Sequence, residues 1–206
     1  MIVEIILFEV EVKILLKNRD DTEKKLKSLG GHYIISLIHE DTYFNMPKKL
    51  RNFYRTDEAL RIRKSFEFDK FEDSPKKRTD FITYKGAKID DSTKTRKEVD
   101  VKVADGDKII EILKILGFRE VYTVKKEREL FGIEYSSEML EVLLDYLPDL
   151  DQHFMEVESQ AEKEDDIALK RENIFNFLSK ISNDKEESIR KSYLELIIDK
   201  IQHKNS

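Results

Sequence analysis

Two Glu-x-Glu pairs stand near opposite ends of the chain, Glu9 with Glu11 and Glu156 with Glu158. On a β-strand, residues two apart share a face, so each pair presents two carboxylates side by side. Clustered carboxylates are hard oxygen ligands suited to Mg²⁺ or Mn²⁺. Basic residues recur between the pairs: Lys13, Arg61, Arg63, Lys85, Arg96, Lys126 and Arg128. Such a set matches a polyphosphate, because arginine can engage phosphate oxygens bidentately. Glu98, Asp100 and Asp145 bring the acids to seven, against seven bases.

The segments carrying these charges alternate. Glu9, Glu11 and Lys13 oppose Phe8, Val10, Val12 and Ile14; Arg61 and Arg63 oppose Leu60 and Ile62. Thr83 and Lys85 oppose Ile82 and Tyr84; Arg96, Glu98 and Asp100 oppose Val99, Val101 and Val103. Glu156 and Glu158 oppose Met155 and Val157, and Asp145 opposes Leu144 and Tyr146. Around Lys126 and Arg128 both faces are polar, since Lys125, Glu127 and Glu129 intervene. For one strand alone this pattern means a solvated face. Its recurrence fits either a flat sheet with one wet side or a barrel charged within and coated by helices. Charges facing into a barrel need partners, and a metal-bridged phosphate chain satisfies acids and bases together.

The elements that must position these residues follow from periodicity and turn chemistry. Strands are expected at about 2–16, 33–45, 58–68, 79–86, 94–103, 119–133, 138–147 and 153–160. A helix opens at Asp20-Asp21-Thr22 and ends at Gly30-Gly31; a second runs from Asp105-Gly106-Asp107 to Gly117. The polar stretch Asp69 to Arg78 reads as a hairpin loop. Ile167, Ile174, Phe177, Leu178 and Ile181 then recur at helical spacing, Ser182-Asn183-Asp184 breaks that helix, and Ile189, Tyr193, Leu196, Ile197 and Ile201 form another stripe. The fold class expected is α+β: an antiparallel sheet or barrel with two inserted helices and a helical tail. The tail helices each have one apolar stripe and are expected to pack on the barrel, with a dimer interface or a lid over one mouth of the barrel as the alternatives.

Composition bounds the rest. The chain has 206 residues, of which 39% are Asp, Glu, Lys or Arg, against about 25% in ordinary proteins. The net charge of −5 argues against a nucleic-acid partner, which needs a basic footprint. No cysteine is present, so zinc-thiolate sites and cysteine nucleophiles are excluded. The apolar stretch Met1 to Phe8 is too short to span a membrane and has no basic region before it; a soluble, cytoplasmic protein without a membrane partner is expected. His32, His39, His153 and His203 show no metal-ligand spacing and read as structural or surface residues. No glycine-rich phosphate loop appears; Gly86-Ala87-Lys88 lacks the rest of that motif.

Glu9-Val10-Glu11-Val12-Lys13 resembles the E-x-E-x-K signature of the CYTH family, the triphosphate tunnel metalloenzymes, which include class IV adenylyl cyclases, thiamine triphosphatases and inorganic triphosphatases. The rest of the set follows in order. His39-Glu40-Asp41-Thr42-Tyr43-Phe44 resembles the family's second strand, Leu60-Arg61-Ile62-Arg63 its L-R-x-R strand, and Thr83-Tyr84-Lys85-Gly86 its T-x-K-G strand. Arg96-Lys97-Glu98-Val99-Asp100, Lys126 with Arg128, and Leu144-Asp145 followed by Glu156-Val157-Glu158 are similar to the strands that complete it. Arg190-Lys191-Ser192-Tyr193-Leu194-Glu195-Leu196 is similar to a C-terminal motif of cyclase-like members.

The resemblance implies an eight-stranded closed antiparallel tunnel over residues 1–162 and a helical extension over 163–206. Carried over, Glu9, Glu11, Asp145, Glu156 and Glu158 bind the metal, Mg²⁺ or Mn²⁺. Lys13, Arg61, Arg63, Lys85, Arg96, Lys126 and Arg128 grip the triphosphate. Glu9, Glu11, Lys13 and Lys85 form the catalytic set. Glu98 and Asp100 stand behind them as metal ligands, water orienters or partners of the arginines. The expected activity is metal-dependent hydrolysis of inorganic triphosphate, ATP or a similar small molecule, by a monomer or homodimer. The alternatives are class IV cyclisation of ATP and a non-catalytic polyphosphate-binding module. Cyclase members carry a His-Phe pair just ahead of the first signature; Glu4 and Ile5 stand there instead, which favours hydrolysis. The hairpin from Asp145 to Glu156 contains Pro148 and lacks the glycines usual there.

Overall fold

Closure of the sheet is what brings the two Glu-x-Glu pairs together. In the computed structural model, which describes residues 8–72, 75–89, 95–181 and 188–204, eight antiparallel strands form a closed barrel. In chain order they are β1 (Phe8–Leu16), β2 (His32–Asn45), β3 (Ala59–Phe68), β4 (Lys77–Lys88), β5 (Arg96–Val103), β6 (Arg119–Tyr135), β7 (Glu138–Leu147) and β8 (Gln152–Ala161). Around the barrel the order is β1-β5-β4-β3-β2-β6-β7-β8, with β8 returning to β1. The closing register sets Glu11 opposite Glu158 and Lys13 opposite Glu156. On its other side β1 meets β5 through Phe8 opposite Lys97 and Glu9 opposite Arg96.

The expected strands are present, with shifted ends. Lys77 and Arg78, read as loop, already belong to β4. The first six residues of the expected first strand, Glu4 and Ile5 among them, and the helix break at Ser182-Asn183-Asp184 lie outside the described residues. Two hairpins turn without glycine. Between Tyr135 and Glu138, Ser136 and Ser137 both take positive φ, at 51° and 62°, as a two-residue type I′ connection requires. After β7, Leu150 and Asp151 donate backbone N–H groups to the Leu147 carbonyl, and Asp151 supplies the left-handed residue at φ 54°. Aspartate tolerates that conformation, so Pro148 is compatible with the turn.

Helix α1 (Arg19–Ser28) links β1 to β2 and α2 (Gly106–Ile115) links β5 to β6. Asn18 caps α1: its Oδ1 accepts from the Asp21 N–H at 3.2 Å, and its amide donates to the Asp21 carboxylate at 2.7 Å. Removing such a cap costs about 1 kcal/mol, so Asn18→Ala is expected to lower Tm by about 2–4 °C in a thermal melt. No change would mean that the cap is replaced by water.

The apolar faces of β1, β7 and β8 point outward. Val10, Val12, Ile14, Leu140, Val142, Leu144, Met155 and Val157 form one buried cluster with Ile174, Phe177, Leu178 and Ile181 of α3 (Ile167–Ile181). Burying one such side chain is worth about 1.5–3 kcal/mol, enough to hold α3 against the outside of the barrel. Helix α4 (Tyr193–Lys204) behaves differently. Its Tyr193 and Ile197 pack with Val124, Leu147, Leu150 and Phe154. Val124 shares a face with Lys126, Leu147 with Asp145, and Phe154 with Glu156, so this cluster belongs to the inside of the barrel. Helix α3 thus lies against the outside of the barrel, while α4 packs where the inner wall turns apolar. None of the described helices is long and apolar enough to cross a membrane.

Candidate active site

The inner wall surrounds a cavity of about 210 Å³, and its charges fall into three groups. The first is acidic. One carboxylate oxygen from each of Glu9, Glu11 and Glu158 lies within 4.8 Å of the others. Burial pushes the Glu158 carboxyl well above its usual range, and the charges of Glu9 and Glu11 push it further. Crowded carboxylates need either protons or a cation between them. This donor set, all oxygen and rich in negative charge, fits a hard divalent ion such as Mg²⁺ or Mn²⁺.

The second group surrounds Arg128. Its Nε and Nη2 both donate to the Asp145 carboxylate at 2.6 Å, and Nη2 also donates to Glu156. Asp145 further accepts the Tyr193 hydroxyl at 2.7 Å and lies 3.8 Å from Lys126. Lys13, with no solvent exposure, is 3.9 Å from Glu156, donates to the Lys191 carbonyl at 2.5 Å and lies 4.0 Å from the centre of the Tyr193 ring. Of the five acids expected at the metal, the structure thus brings Glu9, Glu11 and Glu158 together and sets Asp145 and Glu156 against Arg128. Asp145 is 1% exposed, and the glycine-free hairpin leaves it inside the barrel.

The third group lines the wall made by β2, β3, β4 and β5, which runs round to the neighbour of β1. Arg63 grips Asp41 through two hydrogen bonds of 2.7 and 2.8 Å. Burial alone would raise the Asp41 carboxyl, but Arg63 and Arg61 hold it well below its usual range. Arg61 lies 3.6 Å from Asp41 and 3.9 Å from Asp100, and donates to the Thr83 hydroxyl at 3.0 Å. Its Nε is buried with no hydrogen-bond partner, a donor left for an incoming anion. Thr83 in turn donates to Asp100, and Lys85 pairs with Glu98. Glu98 and Asp100 thus lie against basic residues of the neighbouring strands. Arg96 borders the same cavity, 4.0 Å from Asp57.

Burial of so many cations has a cost visible in Lys126. Desolvation first, and then the neighbouring Arg128, pull its ammonium down to about 8. An anion in the tunnel would remove that conflict.

Several residues of the site carried no role in the sequence reading. Asp41 and Tyr43 share the inner face of β2 and line the cavity; the signal was the alternation His39, Asp41, Tyr43 within a segment noted only for its resemblance. Phe53 and Tyr54, from the segment between β2 and β3, border the cavity with Leu194 and Ile198 of α4. Tyr54 is 76% exposed, which places this aromatic and aliphatic border at the opening. Nothing in the spacing of the connection announced it.

Comparison with known proteins agrees with this geometry. The CYTH domain family model matches residues 7–193. A Methanocaldococcus jannaschii protein provisionally named an adenylate cyclase is 37% identical over 190 residues, covering 92% of this chain and 98% of its own length. The structure of a Pyrococcus horikoshii protein superposes with a TM-score of 0.80 at 35% identity, over 93% of this chain and 99% of that one. A Hippeastrum protein, provisionally an adenylyl cyclase and described as having a dominant triphosphatase activity, shares the fold at 13% identity and a TM-score of 0.62, over 93% and 96%. A closed eight-stranded tunnel with acids and bases on its inner wall, matched along nearly its whole length, makes this chain a member of the CYTH domain family.

Proposed function

We propose that this protein hydrolyses a triphosphate inside its tunnel with the help of Mg²⁺ or Mn²⁺. One observation carries the reading: Glu9, Glu11 and Glu158 converge on the wall of a cavity whose other walls present Arg61, Arg63, Lys126 and Arg128. Glu9, Glu11 and Glu158 would hold the metal, which when bound supplies charge neutralisation and a more acidic water. Arg61 and Arg63 would receive phosphate oxygens, Arg61 through its unpartnered Nε. Asp145 and Glu156 would fix the Arg128 guanidinium so that its donors meet the developing charge without reorganising. Lys13, Lys85 and Arg96 would complete the grip on the phosphate chain. Small-molecule triphosphates are cytoplasmic, and we place the protein there, as a monomer or homodimer.

The border of Tyr43, Phe53 and Tyr54 favours a ligand that carries a ring beyond its phosphates, since aromatic faces stack on flat groups. That observation, with the name of the M. jannaschii relative, supports a second reading, cyclisation of ATP to cyclic AMP and pyrophosphate. A product assay separates the readings. Incubated with inorganic triphosphate, ATP or thiamine triphosphate in Mg²⁺ or Mn²⁺, the protein is expected to release orthophosphate or pyrophosphate without cyclic nucleotide. Cyclic AMP as the main product would establish the cyclase instead. Tight binding with no metal-dependent product would leave a polyphosphate-binding module.

A further inference from the structure

The segment between β2 and β3 is built to hold Tyr54 out. Asn45 Oδ1 accepts the backbone N–H groups of Met46 at 2.9 Å and Phe53 at 3.1 Å. Its amide donates to Asn52 Oδ1 at 2.8 Å, and that oxygen accepts the Tyr54 N–H at 3.1 Å. The Phe53 carbonyl accepts the Glu58 N–H at 2.9 Å. A single exposed aromatic needs no explanation. This one stands on the border of the cavity, on a hydrogen-bonded loop, with 76% of its surface in water.

The first turns of α4 supply another part of that border. Leu194, Glu195 and Ile198 line the same cavity, and the Lys191 ammonium lies within electrostatic reach of both the Tyr54 hydroxyl and the Glu195 carboxylate. An aromatic face and aliphatic side chains around one opening suit a flat ring. Glu195 adds a polar group to it. Its Oε2 accepts the Ser192 N–H and hydroxyl, each at 2.7 Å, and lies 4.0 Å from the Lys88 ammonium. Its Oε1 has no partner among the described residues, and the side chain is 34% exposed. Capping the helix thus occupies one oxygen and leaves the other as an acceptor at the border.

We propose that the substrate carries a flat ring with an exocyclic amine on its triphosphate, that Tyr54 stacks on the ring, and that Glu195 Oε1 accepts the amine. The proposal rests on the triphosphate reading of the tunnel and adds what selects among triphosphates. The phosphates lie along Arg61, Arg63, Lys126 and Arg128, and the ring lies at the border, where the lining turns apolar. Adenine and an aminopyrimidine both present such an amine. A ring with a keto oxygen in its place sets an acceptor against the carboxylate and is disfavoured. Inorganic triphosphate makes neither contact.

The test measures binding to the full chain by calorimetry, without divalent metal so that no ligand is consumed. The ligands are ATP, thiamine triphosphate, inosine triphosphate and inorganic triphosphate. ATP or thiamine triphosphate should bind about tenfold more tightly than inosine triphosphate, the scale of one charged hydrogen bond, and the tighter of the two names the ring. Glu195→Gln keeps a side chain able to cap the helix and can turn an amide N–H to the border, so the preference for ATP over inosine triphosphate should vanish or reverse. Tyr54→Ala should weaken ATP and inosine triphosphate alike, by about tenfold relative to inorganic triphosphate. Equal affinity of the wild type for ATP, thiamine triphosphate and inosine triphosphate overturns the proposal without any variant, and binding of inorganic triphosphate in the same experiment leaves the triphosphate reading standing. An equal loss for inorganic triphosphate in Glu195→Gln also overturns it, because the residue then acts by holding α4. Absence of binding by all four ligands overturns both.

Discussion

Replacing Glu158 by glutamine is expected to abolish metal-dependent turnover and, at the same time, to raise the Tm of the metal-free protein. The two effects have one cause. Glu158 shares a space of 4.8 Å with Glu9 and Glu11, a crowding of carboxylates that a bound cation would relieve. Burial and the two neighbouring carboxylates disfavour its ionised form; an amide of the same shape removes one of the repelling charges. Once metal is added, the order reverses. A ligand at 100 times its Kd stabilises the native state by about 2.7 kcal/mol, which for a chain of this size is a Tm rise of about 5–10 °C. The wild type should show that rise with Mg²⁺ or Mn²⁺, and Glu158→Gln should show little of it. Removing a group that stabilises developing charge costs about 10²–10³ in kcat, and at least that is expected here. A variant with wild-type metal-induced stabilisation would remove Glu158 from the metal centre, whatever its activity. Lost turnover with an intact metal response would move its role to the substrate.

This site was legible in the sequence where strand periodicity decides the matter. A period of two fixes which residues share a face, so Glu9, Glu11, Arg61, Arg63, Lys85 and Glu158 can be placed on the charged face from sequence, while Lys126 and Arg128, with charges on both faces of their segment, cannot. Periodicity leaves a flat sheet and a barrel both open, and closure is what the resemblance to the tunnel family implies. What could not be read was which inward charge meets which. That depends on register between strands far apart in sequence. Asp145 and Glu158 are equivalent as letters, yet pairing of Arg128 with Asp145 across β6 and β7 sets one against a guanidinium, while pairing of Glu11 with Glu158 across β1 and β8 sets the other beside carboxylates. Asp41 drew no role for the same reason: its value comes from Arg63, 22 residues away on the neighbouring strand. The tail was ambiguous in a different way. An amphipathic stripe says that a helix buries one face, but the outside of a barrel and an apolar tunnel mouth are equally able to receive it.

Tyr193 shows which of these α4 uses, and its removal is the second large effect expected. The residue is 7% exposed. Its ring meets Phe154 edge to face at 5.2 Å and lies beneath the ammonium groups of Lys13 and Lys126, at 4.0 and 5.2 Å. Its hydroxyl reaches Asp145. The segment leading to it is held by a backbone hydrogen bond of 2.7 Å from Ile189 to Lys13 and by a capping box. In that box Ser192 N–H donates to the Glu195 carboxylate and Glu195 N–H to the Ser192 hydroxyl. We therefore propose that the C-terminal extension is part of the site rather than a separable appendage. Truncating a buried aromatic to alanine costs about 3–5 kcal/mol, so Tyr193→Ala is expected to lower Tm by roughly 10 °C. It should also weaken turnover by loosening Lys13 and the pair of Asp145 and Arg128. Tyr193→Phe separates the two contributions. It keeps the ring and leaves Asp145 its two bonds from Arg128, so the loss of stability should be near 1 kcal/mol. If the hydroxyl positions Arg128 for the transition state, kcat should fall while KM for triphosphate changes little. If the tail only fills space, Tyr193→Phe should leave both unchanged, and Tyr193→Ala assayed well below its melting temperature should be fully active.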